Sequence, residues 1–352
     1  MANVGDTLPH CTGMGTQADP YKFDSATGFL EAIDVEGAYV EAKNSSMSFD
    51  CNDGVITPTI NFKCLYINGK GLVIVNAVIH NSSNPIIKVS GGTTAWDSYE
   101  TGEIQEIRNI NFYNFCIINY NLAMTLITSD FNTNNKYKVS KFINCNFAGR
   151  CVGYPPYTSH TDTGHHFIGH INIYSSEGQI QYHFINCTLN VNLSDPTQTT
   201  GKNLVFHSFW NSLAGGEGYV YLENTTICFS GSIKYTFSLS DLSDASVVMN
   251  NTTIMSPLDK SANKLVCGSY INNVKFVSEL SGYNYHKMYV ETTGDLTVSD
   301  SQGLINSDRY TATGTKSLSG IVMQEHDSTA SDYIYNENNL ANAGFFVGQV
   351  IE

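Results

Sequence analysis

The chain has 352 residues and a formal net charge of −14, with only 18 Lys plus Arg and 14% charged residues. It has no basic cluster to neutralise phosphates, which argues against nucleic acid as a partner. It has no run of 18 apolar residues, so no membrane insertion is expected.

Residues 1–20 read as an extended lead-in whose G-M-G lacks the rest of a phosphate-binding motif. Its first residues, M-A-N-V-G-D-T-L, show neither a basic start nor an apolar core, so no signal peptide is expected. Asp24-Ser25-Ala26-Thr27 then precedes Phe29, Leu30 and Ile33 at helical spacing, which predicts a short helix capped by Ser25 or Asp24. Such a helix would cover the open end of whatever follows, because an unpaired terminal strand invites edge-to-edge association. Strand-like segments begin near Tyr39 and become regular from Leu65.

From there one phrase recurs: an apolar residue, any residue, Asn, two residues, an apolar residue. It stands at Asn76, Asn109, Asn144, Asn186, Asn224, Asn251 and Asn273, at intervals of 33, 35, 42, 38, 27 and 22 residues. A returning phrase marks a solenoid, in which each repeat buries its apolar face only against its neighbours. The shortest interval is about one coil of a right-handed parallel β-helix, and the longer ones are a coil plus a corner loop. Asn tolerates the left-handed backbone that turns one strand into the next, and stacked Asn side chains would form an inward-facing hydrogen-bonded ladder. A leucine-rich repeat would show a Leu-x-x-Leu-x-Leu frame, which is absent. The fold class expected is therefore all-β, a single-stranded right-handed parallel β-helix with short N- and C-terminal caps. Residues 1–58 form the lead-in and capping helix, 59–305 the body with loop insertions, and 306–352 a C-terminal cap or docking segment containing a predicted helix over 337–343.

Nine cysteines are scattered without C-x-x-C spacing, and Cys145 and Cys187 each follow the Asn of a phrase. They read as buried free thiols of a protein folded in a reducing cytoplasm, stacked on one another. Sequons occur at Asn44, Asn81, Asn186, Asn192, Asn224 and Asn251. Three are ladder positions expected to face inward, which discounts them as glycosylation sites.

The Asn-phrase coils, the opening G-T-Q-A-D-P-Y-K-F-D-S-A-T-G-F-L-E-A-I and the closing N-E-N-N-L-A-N-A-G-F resemble the parallel β-helix surface proteins of tailed bacteriophages. These are tail fibres, tailspikes and head fibres. The resemblance implies a homotrimer on a virion, assembled with other virion proteins after folding in the host cytoplasm, and contact with a bacterial surface glycan. It also implies two alternatives: a head fibre or capsid decoration with a structural role, and a polysaccharide depolymerase.

Candidate chemistry is sparse. Asp130, Asp162, Glu177, Asp195, Glu217 and Glu223 form no repeated carboxylate pair, and the helper cations are limited to Arg108, Lys141, Arg150 and Lys202. No catalytic residue and no cofactor are assigned. Six of the ten histidines fall at His160, His165, His166, His170, His183 and His207, so His165, His166 and His170 are candidate metal ligands. Tyr154, Tyr157, Trp96 and Trp210 stand in insertions, where a flat ring with a polar tip suits sugar stacking.

Overall fold

The computed structural model describes residues 2–51, 60–80, 87–89, 105–119, 124–128, 137–153, 165–168, 179–194, 203–207, 217–231, 233–238, 244–255, 263–265, 269–276, 290–292, 295–299, 310–312 and 314–318. Among these the chain is all-β with one α-helix, Ala26–Ile33.

The helix starts where the sequence places it. Ser25 is the N-cap, with an extended backbone, and its hydroxyl accepts a hydrogen bond from the Gly28 amide at 3.1 Å. Phe29 is fully buried, and its ring lies 5.3 Å from Phe23, 5.8 Å from Phe49 and 6.3 Å from Phe62. The helix therefore covers the first turn of the core with an aromatic plug. Leu30 is only partly buried, because it sits beside that plug rather than within it. Ahead of the helix, Cys11–Thr12 pairs antiparallel with Tyr21–Phe23, which in turn pairs parallel with Tyr39–Ala42. The open edge of the parallel sheet is thus closed by the lead-in itself.

Beyond Tyr39 the strands fall into three stacks. In the first, Tyr39–Ala42, Tyr66–Val75, Gln105–Asn119, Tyr137–Ile143, Gln179–Ile185, Glu217–Glu223, Asp244–Asn250, Ser269–Asn272, Leu296–Ser299 and Lys316–Leu318 pair in that order, always parallel. Tyr66–Val75 and Gln105–Asn119 are long enough to turn a corner into a second stack. There they join Ser48–Asp50, Asn146–Gly153, Thr188–Ser194, Thr226–Gly231, Thr253–Met255 and Lys275–Phe276. The third stack runs Ile60–Phe62, Ile87–Val89, Met124–Thr128, His165–Ile168, Asn203–His207, Ile233–Ser238, Asn263–Leu265, Val290–Thr292 and Tyr310–Ala312, again parallel. The first and third stacks continue past the last Asn phrase to Leu318 and Ala312. Residues 337–343, the predicted C-terminal helix, lie outside the described residues.

Alternation sends every second side chain inward. Ile107, Phe142, Phe184, Leu222, Met249 and Ile271 form one fully buried file, in which Phe142 and Phe184 stack at 5.1 Å and 8°. Phe112 and Phe147 stack at 5.1 Å and 3° in another. Burial of each such ring contributes about 1.5–3 kcal/mol, so the files supply the main cohesion between repeats.

The phrase Asn residues turn the corners. Asn109, Asn144, Asn186, Asn224, Asn251 and Asn273 all have φ between 47° and 56°. The amide of each of the last five donates to a carbonyl of the next repeat: Asn144 to Ile185, Asn186 to Glu223, Asn224 to Asn250, Asn251 to Asn272 and Asn273 to Ser299. Side-chain bonds join Asn109 to Asn68, Asn144 to Asn109, Asn224 to Asn186, and Asn273 to Asn251, at 2.6–3.1 Å. Two sequence expectations change. The side chains of Asn144, Asn186, Asn224, Asn251 and Asn273 are exposed rather than inward, so the inward-facing reason for discounting the sequons at Asn186, Asn224 and Asn251 falls. Asn76 belongs to a different corner, where its amide nitrogen donates to Asp50 and its oxygen accepts from Asn114. Both corners need a left-handed residue, so both attract the same phrase.

Candidate functional site: an outward groove at the N-terminal end

The inward residue of each repeat is flanked by outward ones, and register aligns these into files across the sheet. One file on the first stack runs Tyr39, Tyr66, Glu106, Lys141, His183, Tyr221, Val248 and Tyr270. Beside it runs Glu41, Asn68 and Arg108. At its N-terminal end the first file borders an open groove of about 570 Å3, lined by Gln17, Pro20, Tyr39, Glu41, Leu65, Tyr66 and Glu106.

The floor is aromatic and its walls are charged. The Tyr39 and Tyr66 rings are 5.7 Å apart and tilted by 30°. The Arg108 guanidinium lies 5.9 Å from the centre of the Tyr66 ring, within cation–π range. Arg108 donates from Nε at 2.9 Å and from Nη2 at 2.7 Å, both to Oε2 of Glu106. Glu41 is paired with Lys70 at 2.9 Å. All four charged groups are part-exposed, so these pairs organise side chains more than they stabilise the fold.

The lead-in supplies the groove's upper rim. The Tyr39 amide donates to the Gly15 carbonyl at 2.8 Å, which ties the loop holding Gln17 to the strand. Gly15 has φ +73°, and a Cβ there would stand 2.2 Å from the Tyr21 ring, so only glycine lets the loop lie on that ring. Tyr21 is fully buried, and its hydroxyl donates to the carbonyls of Asp6 at 2.8 Å and Asn3 at 3.2 Å. The rim is therefore fastened on both sides.

Further along the file, His183 and Tyr221 have ring centres 5.0 Å apart, and the Tyr221 hydroxyl donates to Glu223 Oε2 at 2.8 Å. Burial, aided by the nearby Lys141 charge, pushes the His183 imidazole down to about 4, so it is neutral at neutral pH.

Tyr154, Tyr157, Trp96, Trp210 and His170 lie outside the described residues, as do His160, Asp130, Asp162, Glu177, Asp195 and Lys202. His165 and His166 are neighbours in the extended strand His165–Ile168 of the third stack, opposite Met124 and Thr125. The histidine cluster of the sequence is split by the fold, since His183 lies on the first stack while His165, His166 and His207 lie on the third. Among the described residues no three His, Cys, Asp or Glu side chains converge where they would hold a metal ion. No helix among them is long and apolar enough to cross a membrane.

Glu41 and Glu106 were not singled out in the sequence. Tyr-Val-Glu, Tyr-Ile-Asn and Glu-Ile-Arg become neighbours only when the three strands are set in register, and aligning the repeats on their central apolar residue would have revealed them. Two strand spacings and a two-residue offset place the backbones of Glu41 and Glu106 roughly 12 Å apart. Each carboxylate is turned to its own cation, Glu41 to Lys70 and Glu106 to Arg108. The arrangement is suited to holding a ligand. Compared with models of known families, with curated proteins and with solved structures, the chain matches none.

Proposed function

We propose that the three stacks are the faces of a right-handed parallel β-helix, and that the protein is a tailed-bacteriophage surface component of the tail-fibre or tailspike type that binds a host glycan. The observation that carries the reading is the regular parallel stacking of one strand per repeat on each of three sides, turned by left-handed Asn and covered at its start by a helix. Such a body is a stiff spacer, because every repeat is held by backbone bonds to the next. A homotrimer of rigid copies would present three identical weak sites at fixed spacing, which raises avidity without raising the affinity of any one. Other virion proteins would hold the opposite end of the particle-bound protein. The buried free thiols among the described cysteines suit folding in the host cytoplasm before assembly. The separate ion pairs of Glu41 and Glu106 favour a binding role over cleavage.

Immunogold labelling of intact virions tests the reading. Label at the distal tail is the expected result. Label confined to the head would replace it with a structural decoration role, and unlabelled particles would remove the virion assignment.

A further inference from the structure

We infer that the groove between the Gln17 loop and the Tyr39–Tyr66 floor is a saccharide-binding subsite for a short neutral or N-acetylated oligosaccharide. This rests on the glycan-binding reading above and assigns it a place and a chemistry. The groove's volume of about 570 Å3 falls within the roughly 300–1,000 Å3 usual for small-ligand sites.

Its chemistry selects sugars in three ways. Tyr39 and Tyr66, with ring centres 5.7 Å apart and planes tilted by 30°, put two aromatic rings into the groove lining, apolar area of the kind against which the apolar face of a pyranose packs. Arg108 lies 5.9 Å from the Tyr66 ring and holds Glu106, so the platform and its acceptor are positioned by one side chain. Both guanidinium bonds fall on Glu106 Oε2; among the described residues none is donated to Oε1, the acceptor offered to a sugar hydroxyl. The Gln17 amide on the exposed rim both donates and accepts, as a hydroxyl or acetamido group requires.

Charge sets the class. Each carboxylate at the groove is matched by its own cation, Glu41 by Lys70 and Glu106 by Arg108, so the site offers no excess positive charge. The chain carries −14 overall. A polyanionic glycan would meet repulsion from the whole body and no compensating cluster at the site.

The full chain is titrated with a panel of di- to tetrasaccharides: neutral, N-acetylated, and uronic-acid-containing. Binding is read by saturation-transfer NMR and calorimetry. Wild type is expected to bind neutral or N-acetylated members, with Tyr66→Ala weakening them at least tenfold and Tyr66→Phe changing them less than twofold. Tyr270→Ala, at the far end of the same file, should leave binding unchanged. Gln17→Ala, which touches only the rim loop, should weaken binding about threefold and serves if Tyr66→Ala fails to keep the wild-type melting temperature. Binding that survives Tyr66→Ala, Tyr39→Ala and Gln17→Ala undiminished would overturn the groove assignment while leaving glycan recognition intact elsewhere. Preference for the uronic-acid members would overturn the neutral chemistry. No binding to any class would overturn the glycan reading and this inference together.

Discussion

Thr225 Oγ1 donates to the carbonyl oxygen of Phe184, 3.0 Å away in the preceding repeat, and also lies 2.9 Å from the Glu223 carbonyl of its own repeat. The same pair of contacts recurs at three other corners. Cys145 Sγ meets the carbonyls of Ile107 and Ile143, Cys187 those of Phe142 and Ile185, and Thr252 those of Leu222 and Asn250. The residue after Asn144, Asn186, Asn224 and Asn251 is thus a buried donor shared between two carbonyls, flanked in the same file by the apolar Ile110 and Val274, and this file is buried while those four Asn side chains are exposed. Replacing Thr225 with Val keeps the shape and removes a hydroxyl that donates to these carbonyls and accepts from the buried Cys187 amide at 3.4 Å, which should cost about 1–3 kcal/mol. Thr225→Cys should cost less, because Cys occupies the equivalent position at 145 and 187. Urea unfolding of the two variants checks the order, and an equal loss would show that shape, not the donor, is what the corner needs.

The corner Asn residues answer to a different demand. Asn186 is exposed, so its side-chain bond from Asn224 at 3.1 Å competes with water and is worth little. Its φ of 53° is the stronger constraint. Ala in the left-handed region costs about 1–2 kcal/mol, whereas Gly adopts it without strain. Asn186→Ala should therefore lower the melting temperature more than Asn186→Gly. Equal losses would return the weight to the side-chain ladder, which both variants remove.

These two files explain how much of the molecule was legible in the sequence. The corners were visible because left-handed backbone restricts residue choice, so six of seven phrase Asn residues share one corner. Which way the Asn pointed was not visible, since a left-handed residue is needed at a turn whether its side chain faces solvent or core. Asn76 carries the same phrase at a different corner for the same reason. The capping helix was legible from Ser25 and Phe29, whose capping and packing roles are local. The groove was not, because Tyr39, Tyr66 and Glu106 meet only through strand register, and the repeats that bring them together differ in length.

His183 makes stability depend on pH in a defined window. Its imidazole is pushed down to about 4 in the folded protein by burial and by Lys141, against about 6.5 unfolded. Below 6.5 the unfolded chain takes a proton that the folded chain refuses until about 4. Stability is therefore full above 6.5 and falls as pH drops from 6.5 towards 4. Solvent screening of a part-exposed ring holds the loss to about 1–2 kcal/mol. Urea midpoints of His183→Gln should fall less steeply than wild type across this window, and parallel profiles would assign the acid sensitivity to other groups.

The second corner ends at a glycine, and the reason is steric. Asp50, Asn76 and Asn114 are joined side chain to side chain there, with Asn76 and Asn114 at φ of 59° and 54°. In the next repeat the register shifts between Ala148 and Gly149, so Gly149 pairs with Phe115 and Asn114 is left as the extra residue of a bulge. A Cβ at Gly149 would stand 2.5 Å from the Phe115 ring and 2.5 Å from its carbonyl oxygen. The ring is fully buried and the carbonyl is backbone, so neither yields cheaply. Gly149→Ala should cost about 1–3 kcal/mol through overpacking. Deleting Asn114 in the same background removes the bulge and lets the ring shift, so the double variant should recover part of the loss. Losses that simply add would mean that the bulge and the glycine are independent, and that Gly149 is required by its own strand rather than by Phe115.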